Sequence, residues 1–399
     1  MLTGKTIVLG VTGSIAAYKT ANLASMLVKL GADVHVIMTR NATQFITPMT
    51  FETLTSNKCI VDTFDRNFSF DVKHVSLAKR GDLFMVAPCT ANVIGKLAAG
   101  ICDDMLTTTL LATKAPTLLA PAMNTGMWEN PILQHNLQLL QSYGYHIVQP
   151  AVGRLACGDT GSGKMPPEEL LLEHILLHTA RTKDLQGRRL LVTAGPTQEA
   201  IDPVRFITNH SSGKMGYAIA KMAALRGAEV TLVSGPVSIK PFTGIGLVPV
   251  TSARDMFDAV TRRSADSDII IMCSAVADYM PATYSDQKVK KHDGDLCIPL
   301  TRTPDILQYL GDHKPKEQVL VGFSMETENL IDNSRAKLTK KKADMICANS
   351  IADSRTGFGV DTNRVTLITQ DAVSELPLCS KEETADLILN RVADIAKGL

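Results

Sequence analysis

TIVLGVTGSIAAYKTANLASMLVKLGADVHVIMT, residues 6–39, decides the fold. An apolar run, TIVLGVTG (6–13), ends in small and polar residues; a helix-length segment closing on Gly31 follows, and a second apolar run, DVHVIMT (33–39), repeats the pattern. LFMVAPCT (83–90) and PTLLAPAMN (116–124) are further runs of the same kind. Short apolar strands alternating with helices predict a doubly wound parallel α/β sheet. After the acidic, Leu-rich stretch PPEELLLEHILLHTARTKDLQG (166–187) the pattern restarts with RRLLVTAGPT (188–197), and AEVTLVSG (228–235) is the counterpart of DVHVIMT. Two Rossmann-like units in tandem are therefore expected, 1–185 and 186–399, with the boundary near Lys183 to Gly187.

Composition narrows the function classes. A chain of 399 residues, 45% hydrophobic and with a net charge of +1, reads as globular and long enough for two or three domains. Its charge balance argues against a protein that coats nucleic acid or an acidic membrane surface. The N-terminus shows no basic region followed by a long apolar stretch, and no run reaches the roughly 18 apolar residues of a spanning helix. The reading is cytoplasmic, without nucleic-acid or membrane partners. Eight Cys without CxxC pairs or His-rich spacing fit reduced thiols better than a disulfide frame or a zinc site.

In open sheets of this kind ligands sit beyond the carboxyl ends of the strands. At the first tip Gly13 and Ser14 open a helix and offer N–H groups and a hydroxyl to a phosphate; the spacing is not GxGxxG, so a mononucleotide fits better than a dinucleotide. A tight turn that needs Gly only for sterics explains the same residues. The tip 87–92 adds Thr90 to the groups a flavin or nucleotide ring could meet, and PAMN delivers Asn124 at the end of a buried run. His74 is a lone His, a type found more often as a surface or core residue than as a catalyst. Cys157 lies in GRLACGDTGSGKMPP, a Gly-rich segment without hydrophobic periodicity, where a thiol has no core to fill and a lid that supplies a proton is a coherent reading.

In the second half, NHSSGKMG (209–216) stands between an extended segment and a helix, so that Ser211, Ser212 and Gly213 can present N–H and O–H groups to phosphates, or simply cap the helix. Lys288-Val289-Lys290-Lys291 reads as a solvated charged loop unless a nucleotide site lies beside it.

GVTGSIAAYK, KHVSLAK, APCTAN, PAMNTGMWENP and ACGDTGSGKM together resemble the flavin-dependent phosphopantothenoylcysteine decarboxylases. AGPTQEAIDPVRFITNHSSGKMG, SAVADY, KVKK and TPDIL resemble phosphopantothenate-cysteine ligase, so the whole chain is similar to the bacterial bifunctional enzymes of coenzyme A biosynthesis. The resemblance implies a flavodoxin-like flavoprotein domain followed by a nucleotide-binding ligase domain. It implies that FMN lies against Gly13, Ser14, Thr39, Thr90 and Met123, that Asn124 binds the substrate carboxylate, that His74 is essential, and that the thiol of Cys157 protonates an enethiolate. It assigns Asn209, Arg205 and Lys288 to formation and use of an acyl-cytidylate, and Ser212, Ser274, Asp278, Pro304, Asp305, Ile306, Phe323, Lys337 and Lys341 to CTP. The expected partners are 4'-phosphopantothenate, L-cysteine and CTP with Mg2+, whose ligands the sequence does not single out. A homo-oligomer is expected, from trimeric decarboxylase and dimeric ligase units, which a dodecamer would satisfy together. Cys89 and Ser274 stand where these families often have Ala; both are small, so tuning is expected without loss of activity. A flavin-storing protein fused to a nucleotide-binding module is the alternative class, and it needs none of Asn124, His74 and Cys157. A prenyl-FMN synthase-like transferase leaves NHSSGKMG unexplained.

Overall fold

The computed structural model describes residues 1–64, 72–155, 158–290, 297–326, 328–350, 357 and 359–398. Contacts divide the chain into two units, Met1–Arg181 and Thr182–Leu399. Among the described residues no helix is long and apolar enough to cross a membrane.

In the first unit the sheet comprises β1 (Thr6–Val11), β2 (Asp33–Met38), β3 (Leu83–Cys89), β4 (Thr117–Pro121) and β5 (His146–Ile147), parallel throughout and ordered β2-β1-β3-β4-β5. All six residues of β1 and all seven of β3 are buried, because helices cover both faces and leave no solvent side to alternate with. The helix Ala17–Lys29 turns Ala17, Thr20, Leu23, Ala24 and Leu27 inward, a 3.6-residue stripe. Gly10 is required by close approach: a Cβ there would stand 2.6 Å from Leu106 Cδ1. The strand order reverses between β1 and β3, where an open α/β sheet forms its ligand crevice. Thr12 fastens the two tips together, its hydroxyl donating to Pro88 O at 2.8 Å and accepting from Thr90 N at 3.1 Å.

The Gly-rich segment expected as a flap forms, in its described residues, an antiparallel hairpin of β6 (Ala151–Arg154) and β7 (Thr160–Lys164). Its base docks on the tip of β4: Met123 N donates to Gly163 O at 2.9 Å and Thr125 Oγ1 to Ser162 O at 3.0 Å. The glycines permit this approach, since a Cβ on Gly163 would lie 2.4 Å from Met123 O and one on Gly161 2.5 Å from Thr125 Oγ1. Pairing and docking here override the low strand propensity of Gly.

The second unit contains β8 (Arg189–Ala194), a small hairpin of β9 (Glu199–Ala200) and β10 (Phe206–Ile207), β11 (Glu229–Ser234), β12 (Ile245–Pro249), β13 (Ile269–Met272), a second hairpin of β14 (Tyr279–Pro281) and β15 (Leu300–Arg302), β16 (Val319–Glu326), β17 (Met345–Ser350), β18 (Thr362–Asn363), β19 (Val365–Ile368) and β20 (Val373–Glu375). The main sheet runs β12-β11-β8-β13-β16-β17-β19-β20. Its first six positions are parallel and follow the order of dinucleotide-binding sheets, whereas β19 and β20 add an antiparallel edge. The order reverses between β8 and β13. The helix Lys214–Leu225 lies so close to β8 that a Cβ on Gly216 would meet Ala194 Cβ at 2.6 Å, which fixes its amino end beside the strand tips.

Candidate functional sites

Two cavities open at the carboxyl edge of the first sheet. One, of about 420 Å³, is lined by Gly13, Thr39, Thr90, Lys96 and Asp104 among others. Gly13 is needed there, since a Cβ would stand 2.6 Å from Asn41 Cβ. The charge of Lys96 is already met by Asp103 at 2.6 Å and Asp104 at 3.1 Å, so a phosphate in this cavity would depend chiefly on N–H and O–H donors. The other cavity, of about 580 Å³, is lined by Ser14, Met123, Asn124, Arg154, Lys164 and Met165 among others. Gly13 and Ser14 are thus neighbours in sequence on the walls of two cavities.

Asn124 is exposed, and its side chain does structural work: Oδ1 accepts from Met127 N at 2.8 Å and caps the short helix Thr125–Trp128. The cap fixes the amide at the cavity wall. His74 lies half-buried on the helix Lys73–Arg80 and lines neither cavity. Cys157 lies outside the described residues. Cys89 is fully buried at the end of β3, a small apolar filler whose thiol burial pushes far up.

The second unit gathers its nucleotide candidates. Ser274, Asp278, Pro304, Asp305, Ile306, Phe323, Lys337 and Lys341 line one cavity of about 500 Å³ beyond the ends of β13 and β16. The departure at Ser274 has a visible consequence: its N–H and hydroxyl both donate to Thr193 Oγ1, at 3.0 and 2.8 Å, which binds the tips of β13 and β8 together. Asp305 caps the helix Ile306–His313 through Gln308 N at 3.0 Å and pairs with Lys341. Burial alone would raise its pKa, but the Lys341 hydrogen bond and the Gln308 N–H outweigh it and hold the carboxyl low. Lys337 Nζ donates to Phe323 O at 2.8 Å.

A second cavity, of about 310 Å³, shares Ser274, Asp278, Phe323 and Lys337 with the first and extends to Ser211, Ser212, Lys214 and the amino end of the helix Lys214–Leu225. Asn209 braces this end: Nδ2 donates to Ala275 O at 2.6 Å while Oδ1 accepts from Ser211 N at 3.0 Å. Arg205 and Lys288 line neither cavity. Arg205 instead pairs at 2.5 Å with the buried Asp202 and donates to Val289 O at 2.8 Å, while Val289 N donates back to Asp202 at 3.1 Å. This strap holds the loop on which the exposed Lys288 sits, and the Arg205 hydrogen bond keeps the Asp202 carboxyl well below its usual range. Lys291 lies outside the described residues. Among the described residues no cluster of three His, Cys, Asp or Glu could hold a metal ion.

A family model described as Flavoprotein matches residues 1–179, and one described as the DNA/pantothenate metabolism flavoprotein C-terminal domain matches 185–395. The Coenzyme A biosynthesis bifunctional protein CoaBC of Bacillus subtilis is 46% identical over 401 residues, covering 100% of this chain and 98% of its relative. The protein of the same name from Vibrio cholerae is 44% identical over 393 residues, with 98% of each covered. The chain belongs to this bifunctional family. It is an enzyme of coenzyme A biosynthesis whose first unit is a flavoprotein unit. Among solved structures, the C-terminal domain of a coenzyme A biosynthesis bifunctional protein CoaBC is 45% identical and aligns over 55% of this chain and all of that one, with a TM-score of 0.47.

The residues of the first unit fit a flavin. Both cavities have volumes in the range of ligand sites, Ile15, Ala122, Met123 and Met165 supply apolar walls, and Gly13 leaves its rim bare. Sequence reasoning passed over Asp202, Thr193 and Lys381. Asp202 sits three residues before Arg205 in IDPVR and was findable as a carboxylate partner; Thr193 and Lys381 carry no local signal.

Proposed function

We propose that residues 186–399 join 4'-phosphopantothenate to L-cysteine at the expense of CTP, and that residues 1–185 decarboxylate the resulting 4'-phosphopantothenoylcysteine to 4'-phosphopantetheine with FMN. The observation that supports this most is the common wall shared by Ser274, Asp278, Asp305, Phe323, Lys337 and Lys341 at the switch point of the second sheet. In ligation the substrate carboxylate attacks the α-phosphorus of CTP, releasing pyrophosphate, and the cysteine amine then displaces CMP from the acyl-cytidylate. Lys337 and Lys341 face the nucleotide, Ser212 and the helix amino end meet phosphate oxygens, and Asn209 orients the acyl group. Lys288 reaches in from its strapped loop to stabilise charge as pyrophosphate leaves. Mg2+, bound with the triphosphate, would neutralise its charge as pyrophosphate leaves; Asp278 lines the cavity as a group for CTP.

In decarboxylation the Asn124 amide holds the substrate carboxylate and His74 acts on the thiol end. What FMN supplies there when bound is reversible two-electron oxidation of the carbon next to the thiol, which lets CO2 leave. Cys157 then delivers a proton to the decarboxylated product. Because His74 lines neither cavity, we infer that a second copy of the chain completes this site, in trimeric decarboxylase units. The same assembly, with ligase units in pairs, makes a dodecamer.

The test uses the intact protein. Purified chain should carry flavin absorbance, and with 4'-phosphopantothenate, L-cysteine, CTP and Mg2+ it should release pyrophosphate, CMP and CO2 in equal amounts. A colourless protein that cannot be loaded with FMN would sink the decarboxylase half; absence of CTP-dependent pyrophosphate would sink the ligase half.

A further inference from the structure

Lys381 begins the helix Lys381–Gly398, is only 7% exposed, and lines the cavity at the amino end of the helix Lys214–Leu225. Its ammonium donates to Gly357 O at 3.1 Å and to Val360 O, and its backbone N–H donates to Asp361 O at 2.9 Å. An ammonium has three donors, and the third has no protein partner among the described residues. Asp361, whose charge reaches Lys381, is paired instead with Lys214 at 2.7 Å. Lys214 also donates to Gly359 O at 2.7 Å, so two lysines on the same cavity grip Gly357, Gly359, Val360 and Asp361. Lys337 lines that cavity too, and Asp278 is the acidic residue among its lining groups.

A buried ammonium held only by carbonyls is costly, because hydrogen bonds restore part of its lost hydration and none of its countercharge. Burial, and then the charge of Lys214, press its pKa down accordingly. We propose that Lys381 is a nucleotide-positioning residue of the ligase site, holding Gly357 and Val360 at the cavity and supplying a buried positive charge that the phosphates of CTP complete. The proposal rests on the CTP reading above and adds to it a residue outside every sequence motif. In the apo protein the carbonyls of Gly357 and Val360 stand in for the anion; on binding, the third donor turns to a phosphate oxygen and the cavity gains the countercharge it lacks.

The experiment compares Lys381→Gln, Lys381→Met and Lys381→Arg in the full chain, by calorimetric titration with CTP and with cytidine and by thermal melting without ligand. Both neutral variants should bind CTP about tenfold more weakly, the loss of one charged hydrogen bond, while cytidine affinity stays at the parent value. Lys381→Arg should remain within about threefold of the parent for CTP, its charge being retained. Lys381→Met should melt no lower than the parent, since an uncompensated buried charge has been removed. Equal weakening of CTP and cytidine, or unchanged CTP affinity in the neutral variants, would overturn the role. So would a chain that folds with Arg and with neither neutral side chain, which would make Lys381 a structural strap. A parent chain that binds no CTP would remove the nucleotide reading itself, and Lys381 with it.

Discussion

In the second unit eight candidate residues, drawn from the ends of β13 and β16, the segment before the helix Ile306–His313 and the helix Leu330–Lys341, share a single wall. In the first unit the candidates are dispersed: Gly13, Thr39 and Thr90 line one cavity, Ser14, Met123 and Asn124 another, and His74 neither. Both sheets offer a switch point at their carboxyl edge. A nucleotide site can be closed by the loops of one Rossmann-like sheet, because phosphate, sugar and base each need contacts that successive strand tips supply. A carboxylate and a thiol on neighbouring carbons call for groups that converge on one small fragment, and the edge of a single first-unit sheet does not bring Asn124 and His74 to a common cavity.

The strongest test of that contrast is Asn124→Asp. The cap on Met127 N survives, because Asp caps as well as Asn, while on the proposed reading a negative charge would confront the substrate carboxylate. Decarboxylation should fall at least about 100-fold and CTP-dependent ligation should not change. If the site is shared between copies, mixing Asn124→Asp chains with His74→Asn chains after dissociation should restore roughly a quarter of the sites, since each needs one intact group from each donor. No recovery from the mixture would place both groups within one copy.

The shared wall of the second unit should behave oppositely, with no rescue by mixing variants of two of its residues. Lys341→Gln removes the ion pair with Asp305 and one charge from the cavity proposed for CTP, so KM for CTP should rise about tenfold with decarboxylation intact. Recovery of ligation on mixing Lys341→Gln with Asp278→Asn chains would show that this wall, too, is divided between copies.

The smallest effect belongs to the Asp202 strap. Its carboxyl pKa is depressed by Arg205, so the stability it contributes is fully present above the ordinary carboxylate pKa of about 3.9 and is lost as pH falls through the lower folded-state value. Asp202→Asn should therefore melt below the parent by a constant interval at neutral pH, and the two curves should converge below about pH 4. A gap that widened on acidification would contradict the assignment.

Much of the fold was legible because parallel strands announce themselves. TIVLGV is buried from end to end, DVHVIM and RLLVTA are buried over their last residues, and each runs into small or polar residues just past the strand. The hairpin of β6 and β7 was not legible, since GSG within Thr160–Lys164 has no strand propensity and is extended only because Ala151–Arg154 pairs with it and Met123–Thr125 seats it. The candidate residues were legible through motifs whose order along the chain follows successive strand tips. Those motifs could not reveal that Arg205 is spent on a buried carboxylate, or that Ser274 is tied to Thr193, because both partners come from elsewhere in the fold. Lys381 was invisible for the same reason: in KEETADLILN it is one more lysine at the head of an amphipathic helix.

The docked hairpin also bears on how such a protein could be altered. Its base is immobilised by Met123, Thr125 and two glycines that admit no side chain, while beyond the strands it is closed by Leu155 N to Asp159 O at 2.8 Å and Gly158 N to Leu155 O at 3.0 Å. A base fixed in this way makes the two glycines the inheritance-critical positions of the hairpin. A side chain at Gly161 or Gly163 would push the strand off Thr125 and Met123 and carry the seat of Asn124 with it. Selection or design can vary the other strand positions only while these two stay bare.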